Sequence, residues 1–170
     1  MHSCITGAIG SLRGPLHGGA NEAAMEMIEN WSSTEEAERE MLGKLERKEK
    51  IMGFGHAIYK DNDPRNGIIK IWSERLAKDV GDTVLYPVSV RCEEVMWREK
   101  KLFCNADFFH ASAYHFMDIP TKLFTPIFVM SRVTGWAAHV MEQRSDNRII
   151  RPSADYTGPE LRKVPPIDAR

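Results

Sequence analysis

Apolar side chains recur along most of the chain at intervals of three and four, the spacing of a helix face. Cys4, Ile5, Ala8, Ile9 and Leu12 share one face of 1–12, and small residues there suit a buried or interface helix. No capping residue precedes it, so it reads as a helix entered part-way, and Gly14-Pro15 breaks it. Ala24, Met27, Ile28 and Trp31 predict a second helix, led in by His17-Gly18-Gly19-Ala20-Asn21. Ser33-Thr34-Glu35-Glu36 is a capping box opening a charged helix, with Ala37, Met41 and Leu45 four apart and its charged face solvated. Over 64–80, Ile68, Trp72, Leu76 and Val80 fall every four residues and Gly81 is the stop. Leu85, Val88, Cys92, Val95 and Met96 mark the next helix, with Asp82 as its cap. Two more helices, 105–117 and 121–144, flank Asp118-Ile119-Pro120. The second is apolar nearly all round, which predicts a core helix. From Asn147 onward the chain is Pro-rich and polar, an extended tail. No run alternates with the period of a strand, so the fold class is all-α.

Composition narrows the partners. The chain has 170 residues, enough for one substantial core, and a formal net charge of -1. Near-neutral charge argues against nucleic acid or an acidic membrane surface as partner. Three widely spaced cysteines, Cys4, Cys92 and Cys104, make neither a disulfide framework nor a zinc knuckle. They favour a reducing compartment, and the expected location is cytoplasmic. The first residues carry no secretory-signal pattern, and the longest apolar run, 123–130, is too short to span a bilayer.

Chemistry gathers around 51–65. His56 follows Gly53-Phe54-Gly55, and Arg65 follows Asp63-Pro64. Asp-Pro is an N-cap and first helical residue, so Arg65 falls in the opening turn of a helix. Histidine suits proton work near neutral pH, and arginine offers a rigid fork for a carboxylate. The plainer alternative is a glycine turn with a surface His and Arg. His17 stands between glycines at a helix start, where free amides favour neutral imidazole. Asp107 stands among Phe103, Phe108 and Phe109, costly for a carboxylate unless paired, working or capping a helix. Arg132 sits inside the apolar helix on the face of Phe128 and Trp136, where burial demands an anion, either a substrate or a structural Asp or Glu. Arg151 is a second clamp or simply a tail charge. His2, His110, His115 and His139 read as structural or exposed. Neutral histidines, one carboxylate and several arginines suit proton abstraction beside a carbonyl, with the enol oxygen held and an acceptor's carboxylates fixed.

These stretches in order resemble the citrate synthase family. Gly14-Pro15-Leu16-His17-Gly18-Gly19-Ala20-Asn21, Gly53-Phe54-Gly55-His56 with Asp63-Pro64-Arg65, Asn105-Ala106-Asp107-Phe108 and Phe128-Val129-Met130-Ser131-Arg132 are similar to its motifs. Ala106 stands where the family pattern has Val. SCITGAIGSLRGP, KIMGFGHAIYK, NADFFHASAYHFM and NRIIRPSADYTGP are similar to the 2-methylcitrate synthase branch. The resemblance implies a citrate synthase-like fold: 1–16 ends a large-domain helix, 17–110 is the small CoA-binding domain, and 111–170 are large-domain helices and tail. It implies condensation of propionyl-CoA or acetyl-CoA with oxaloacetate, then thioester hydrolysis. Asp107 would be the base, His17 would hold the enol oxygen, and His56 would protonate the oxaloacetate carbonyl. Arg65 and Arg132 would bind oxaloacetate, Arg151 would reach the site of the other subunit of a homodimer, and Phe128 would line the pocket. Ile51, Met52, Gly53, Phe54 and Gly55 would take the CoA adenine, Lys60 its phosphates, and Asn105 its arm. The CoA thioester is substrate, and no metal or bound cofactor is implied. Family members are much longer, so the expectation is a C-terminal portion that needs an N-terminal half for turnover. The alternative is a helical interaction module without turnover of its own.

Overall fold

The computed structural model describes residues 1–12, 14 and 17–169. Among them are seven α-helices and no strand. They are α1 (His2–Leu12), α2 (Ala20–Ile28), α3 (Thr34–Glu46), α4 (Pro64–Val80), α5 (Leu85–Lys100), α6 (Ala106–Phe116) and α7 (Phe124–Ser145). Pro15 and Leu16, and with them the proline of the predicted break, lie outside the described residues.

Local sequence fixes most helix ends. Ser33 Oγ accepts from the Glu36 N–H at 3.2 Å, and Glu36 reaches back to the Ser32 N–H at 2.9 Å, so the capping box forms one residue wider than its usual pattern. Asp82 takes the N–H groups of Leu85 and Tyr86 at 3.0 and 2.9 Å and starts α5. Gly81 closes α4 in the left-handed region at φ 73°. The second helix begins at Ala20, within its expected lead-in, and stops at Ile28, short of Trp31.

α6 lies at the centre. It packs on α4 and α2 and touches α5, while α3 pairs with α5. Phe108, Phe109, Met25, Ile28, Met41, Val88 and Val95 are fully buried around it. Burying a side chain of this kind stabilises the fold by about 1.5–3 kcal/mol. α5 buries the five residues expected of it. α4 does not. Ile68, Trp72 and Val80 face outward, and Ser73 and Ala77 are buried instead. Small residues at this contact, Ser73 and Ala77 on α4 and Ser112 on α6, let the two helices approach closely. The hydroxyls of Ser73 and Ser112 meet at 2.7 Å across the contact, so neither is left unpaired.

α7 corrects a second expectation. Its apolar surface predicts a core helix, yet only Phe124 is buried. α1 runs beside it and buries only Leu12. Among the described residues α1 packs chiefly on α7, and α7 also touches α2 and the turn at Thr121–Leu123. No helix among the described residues is long and apolar enough to cross a membrane. Past Asp146 the chain is extended, apart from one short turn at Ile167–Ala169.

Candidate active site

Two segments distant in sequence cross at the start of α6. The N–H of Gly55 donates to the Phe103 carbonyl at 2.8 Å, and the N–H of Asn105 donates to the Gly53 carbonyl at 2.9 Å. Phe54 and Cys104 thus form an isolated antiparallel bridge. Gly53 has φ 88°, and a Cβ there would lie 2.9 Å from the Phe108 side chain, so both backbone and packing require glycine. Asn105 ties the crossing together. Its Nδ2 donates to the Gly55 carbonyl at 2.9 Å, and its Oδ1 accepts from the Asp107 N–H at 3.0 Å.

Asp63 is the second tie. Its buried carboxylate accepts from the N–H of Arg65 at 3.0 Å and the N–H of Ala106 at 2.9 Å, joining the starts of α4 and α6. It also takes Arg65 Nε at 2.9 Å and Nη2 at 2.8 Å. Burial alone would raise its pKa, but the Arg65 guanidinium and the two backbone donors outweigh that, and the carboxyl sits below its ordinary range. Arg65 therefore already grips a carboxylate of its own chain. Its half-exposed guanidinium, 5.6 Å above the Tyr59 ring, keeps Nη1 for another anion.

His56 is held by backbone. Its Nδ1 accepts from the N–H groups of Ile58 and Tyr59 at 3.1 and 3.2 Å, and its ring lies on Tyr59 with centroids 4.6 Å apart. Two donors at Nδ1 leave the ring hydrogen on Nε2. His17 lies in the turn before α2, edge-on to Phe128 at 5.8 Å. Thr125 Oγ1 donates to the Gly18 carbonyl at 2.9 Å and pins that turn to the start of α7. Arg132 is exposed, not buried, with its guanidinium 5.6 Å above Phe128. It makes no ion pair with a described acid, because α7 lies open on this side.

Asp107 occupies the first turn of α6, half-buried, with Asn105 rather than itself as the cap. Phe108 and Phe109 turn into the core, while Asp107 turns to a cavity of about 750 Å³. Burial raises its pKa above the ordinary carboxylate value; His110, Arg65 and His17 act against that rise, and Asp63 adds to it.

The cavity brings together His17, His56, Arg65, Asp107, Phe128 and Arg132. Ile51, Met52, Gly53, Phe54, Gly55 and Asn105 line it as well. Lys60 and Arg151 do not. Lys60 is exposed and donates to the Ala57 carbonyl at 3.1 Å, and Arg151 lies in the extended tail. His110, read from sequence as structural or exposed, lines the cavity with Tyr114. The signal was present: positions 107, 110 and 114 fall at i, i+3 and i+7, one stripe of a helix. Among the described residues no three His, Cys, Asp or Glu side chains converge as a metal site.

A family model described as "Citrate synthase, C-terminal domain" matches residues 1–153. The chain belongs to the citrate synthase family. Over all 170 residues it is 76% identical to a 2-methylcitrate synthase of Shewanella oneidensis, of which it covers 45%. It is 52% identical to citrate synthase 2 of Bacillus subtilis, covering 46% of that protein. The fold overlays the Thermoplasma acidophilum citrate synthase, solved with carboxymethyl coenzyme A and oxaloacetate, with a TM-score of 0.86. The two are 36% identical, and the overlay covers 98% of this chain and 46% of that one. The chain thus spans somewhat under half the length of the citrate synthases it matches.

Proposed function

We propose that this chain supplies the catalytic groups of an acyltransferase that condenses propionyl-CoA with oxaloacetate, giving 2-methylcitrate and CoA. The observation that carries the reading is the convergence of Asp107, His17, His56 and two arginines on one cavity. The Asp107 carboxylate takes a proton from the acyl α-carbon. Its raised pKa makes it a stronger base than an ordinary carboxylate. His17 donates to the enol oxygen. His56 presents Nε2–H to the oxaloacetate carbonyl, because Nδ1 is taken by two backbone amides. Arg65, through Nη1, and Arg132 hold the oxaloacetate carboxylates, and Phe128 walls the pocket. Residues 51–55 receive the CoA adenine above Asn105, and Lys60 lies out toward the phosphates. In a homodimer, Arg151 reaches the other subunit's site. The location is cytoplasmic, and residues 17–110 act as the small domain.

Propionyl-CoA is preferred over acetyl-CoA in this reading on two grounds. Identity is 76% to a 2-methylcitrate synthase against 52% to a citrate synthase. Ala106 also lines the cavity where the family pattern has the bulkier Val, leaving room for one more methylene. The remaining part of the site comes from a segment equivalent to the other half of the relatives. The second reading, a helical interaction module without turnover, draws on the open faces of α1 and α7. The test replaces the matching 45% of the Shewanella oneidensis enzyme with this chain and follows release of CoA thiol, alongside the 170-residue chain alone. The expected result is turnover by the chimera, with kcat/KM for propionyl-CoA over acetyl-CoA higher by about 10- to 200-fold, the worth of one methylene. An inactive chimera supports the module instead.

A further inference from the structure

His56 and Arg65 both reach the cavity, and hydrogen bonds within the chain hold each of them on one side. The imidazole has two backbone N–H groups, those of Ile58 and Tyr59, converging on Nδ1 at 3.1 and 3.2 Å. Two bonds to one atom fix that atom and leave the ring able to pivot about it. The guanidinium is gripped by Asp63 along its Nε and Nη2 edge, at 2.9 and 2.8 Å. A planar fork gripped along one edge can still roll about that edge. One further side chain touches both groups. The Tyr59 ring lies against His56 with centroids 4.6 Å apart and planes tilted by 33°. The Arg65 guanidinium carbon stands 5.6 Å from the centroid of the same ring. Tyr59 does not itself line the cavity, and it is not among the residues that build or cover the hydrophobic core. It is half-buried in a stretch, 56–60, whose other members are exposed. Its ring therefore spends its contacts on two side chains of the site.

We propose that Tyr59 is a positioning residue for the condensation, its ring face fixing the planes of His56 and Arg65 together so that both meet one oxaloacetate molecule in register. The proposal rests on the functional reading above and deepens it. A flat aromatic face suits both neighbours. The imidazole stacks on it at a tilt, and the guanidinium is drawn to the negative face of the ring. Neither contact consumes a hydrogen-bond donor, so Nε2–H of His56 and Nη1 of Arg65 stay free for substrate. The backbone and the ring of Tyr59 act together. The same turn that brings its N–H to His56 Nδ1 lays its ring on the imidazole, three residues on. His56 donates to an oxygen whose charge grows as the new carbon–carbon bond forms, so loss of its alignment weakens the transition state more than the bound substrate. Arg65 meets a carboxylate that is charged throughout, so loss of its alignment weakens binding. One ring thus bears on both kcat and the affinity for oxaloacetate, and on neither through the acyl-CoA.

The test uses the chimera described above and reads the two substrates separately. Tyr59→Leu keeps the backbone N–H and much of the bulk and removes the aromatic face. kcat is expected to fall about 10- to 100-fold, the cost of a misplacement near 1 Å at the reacting atoms. KM for oxaloacetate is expected to rise about 2- to 5-fold, the worth of an exposed cation–π contact. KM for propionyl-CoA is expected to stay as it is. Tyr59→Phe, which keeps the face and loses only the hydroxyl, should restore both kcat and KM. Tyr59→Met is read in the same way as the Leu variant and serves if that variant does not fold. Unsubstituted kinetics in Tyr59→Leu overturn the proposal. So does an equal rise in both KM values, which would mark a general loosening of the loop. A Phe variant as impaired as the Leu variant also overturns it, because the hydroxyl and not the face would then matter. If the chimera with Tyr59 intact performs no condensation, the functional reading falls and takes this role with it; a working chimera indifferent to Tyr59→Leu overturns this role alone.

Discussion

α6 and α7 look alike in composition and differ in surroundings. Both are apolar on nearly every side, and each carries a residue of the cavity, Asp107 on one and Arg132 on the other. α6 is enclosed by α2, α4 and α5 and buries seven residues, while α7 buries one. Composition states that a helix needs neighbours; it does not state that the same chain supplies them. The chemistry follows the surroundings. Asp107 is desolvated, and its backbone is fixed by Asn105. Arg132 rests on a single ring with its charge in solvent.

The largest test of that contrast is Asp107→Asn in the chimera. Loss of the enclosed base should lower turnover by about 10²- to 10⁴-fold while leaving oxaloacetate affinity nearly unchanged. Turnover that survives removes Asp107 as the base. Stability should separate the helices next. In the 170-residue chain, Phe108→Ala should cost about 3–5 kcal/mol in urea unfolding, as large cavities in cores do. Met130→Ser on α7, where Met130 is 72% exposed, should change stability by no more than about 0.5 kcal/mol. Similar costs at both sites would mean that the two helices are equally covered in solution. A third test concerns the tie at the start of α6. Asp63→Asn should cost roughly 1–3 kcal/mol at neutral pH, because an acceptor of several donors is weakened. The folded pKa of Asp63 lies below its unfolded value of about 3.9. Its contribution is therefore complete above that value and is lost as pH falls through the folded pKa. The gap between the two proteins should begin to narrow below about pH 4 and close as pH falls through the lower, folded pKa in thermal melts. A gap that persists there would assign the stabilisation to shape and not to charge.

The helices were legible because their caps are local. Ser33, Asp63 and Asp82 each announce a start within a few residues, and Gly81 a stop. Asp107 and His56 were legible as groups out of place, a carboxylate among phenylalanines and a histidine behind spaced glycines. The inward face of α4 was not legible, since a stripe of Ile68, Trp72 and Val80 outweighs Ser73 and Ala77 on any hydropathy pattern. The close approach of α6, distant in sequence, to the small face of α4 reverses the choice. Arg65 showed its fork but not that Asp63, two residues earlier, would fill half of it. His110 was passed over because its flanking residues look ordinary. Its place at the cavity comes from the helix stripe it shares with Asp107 and Tyr114, which only the packed fold turns toward the cavity.

The crossing of 53–55 with 103–105 bears on any attempt to move this chemistry to another scaffold. Gly53, Gly55, Phe103 and Asn105 exchange their backbone bonds in a closed set, and Asn105 then holds the turn that carries Asp107. The transplantable unit is thus a two-segment graft, residues 51–65 with 103–110, and either segment moved alone would arrive without its mould. A library that varies one strip should hold the other constant, or vary both as matched pairs.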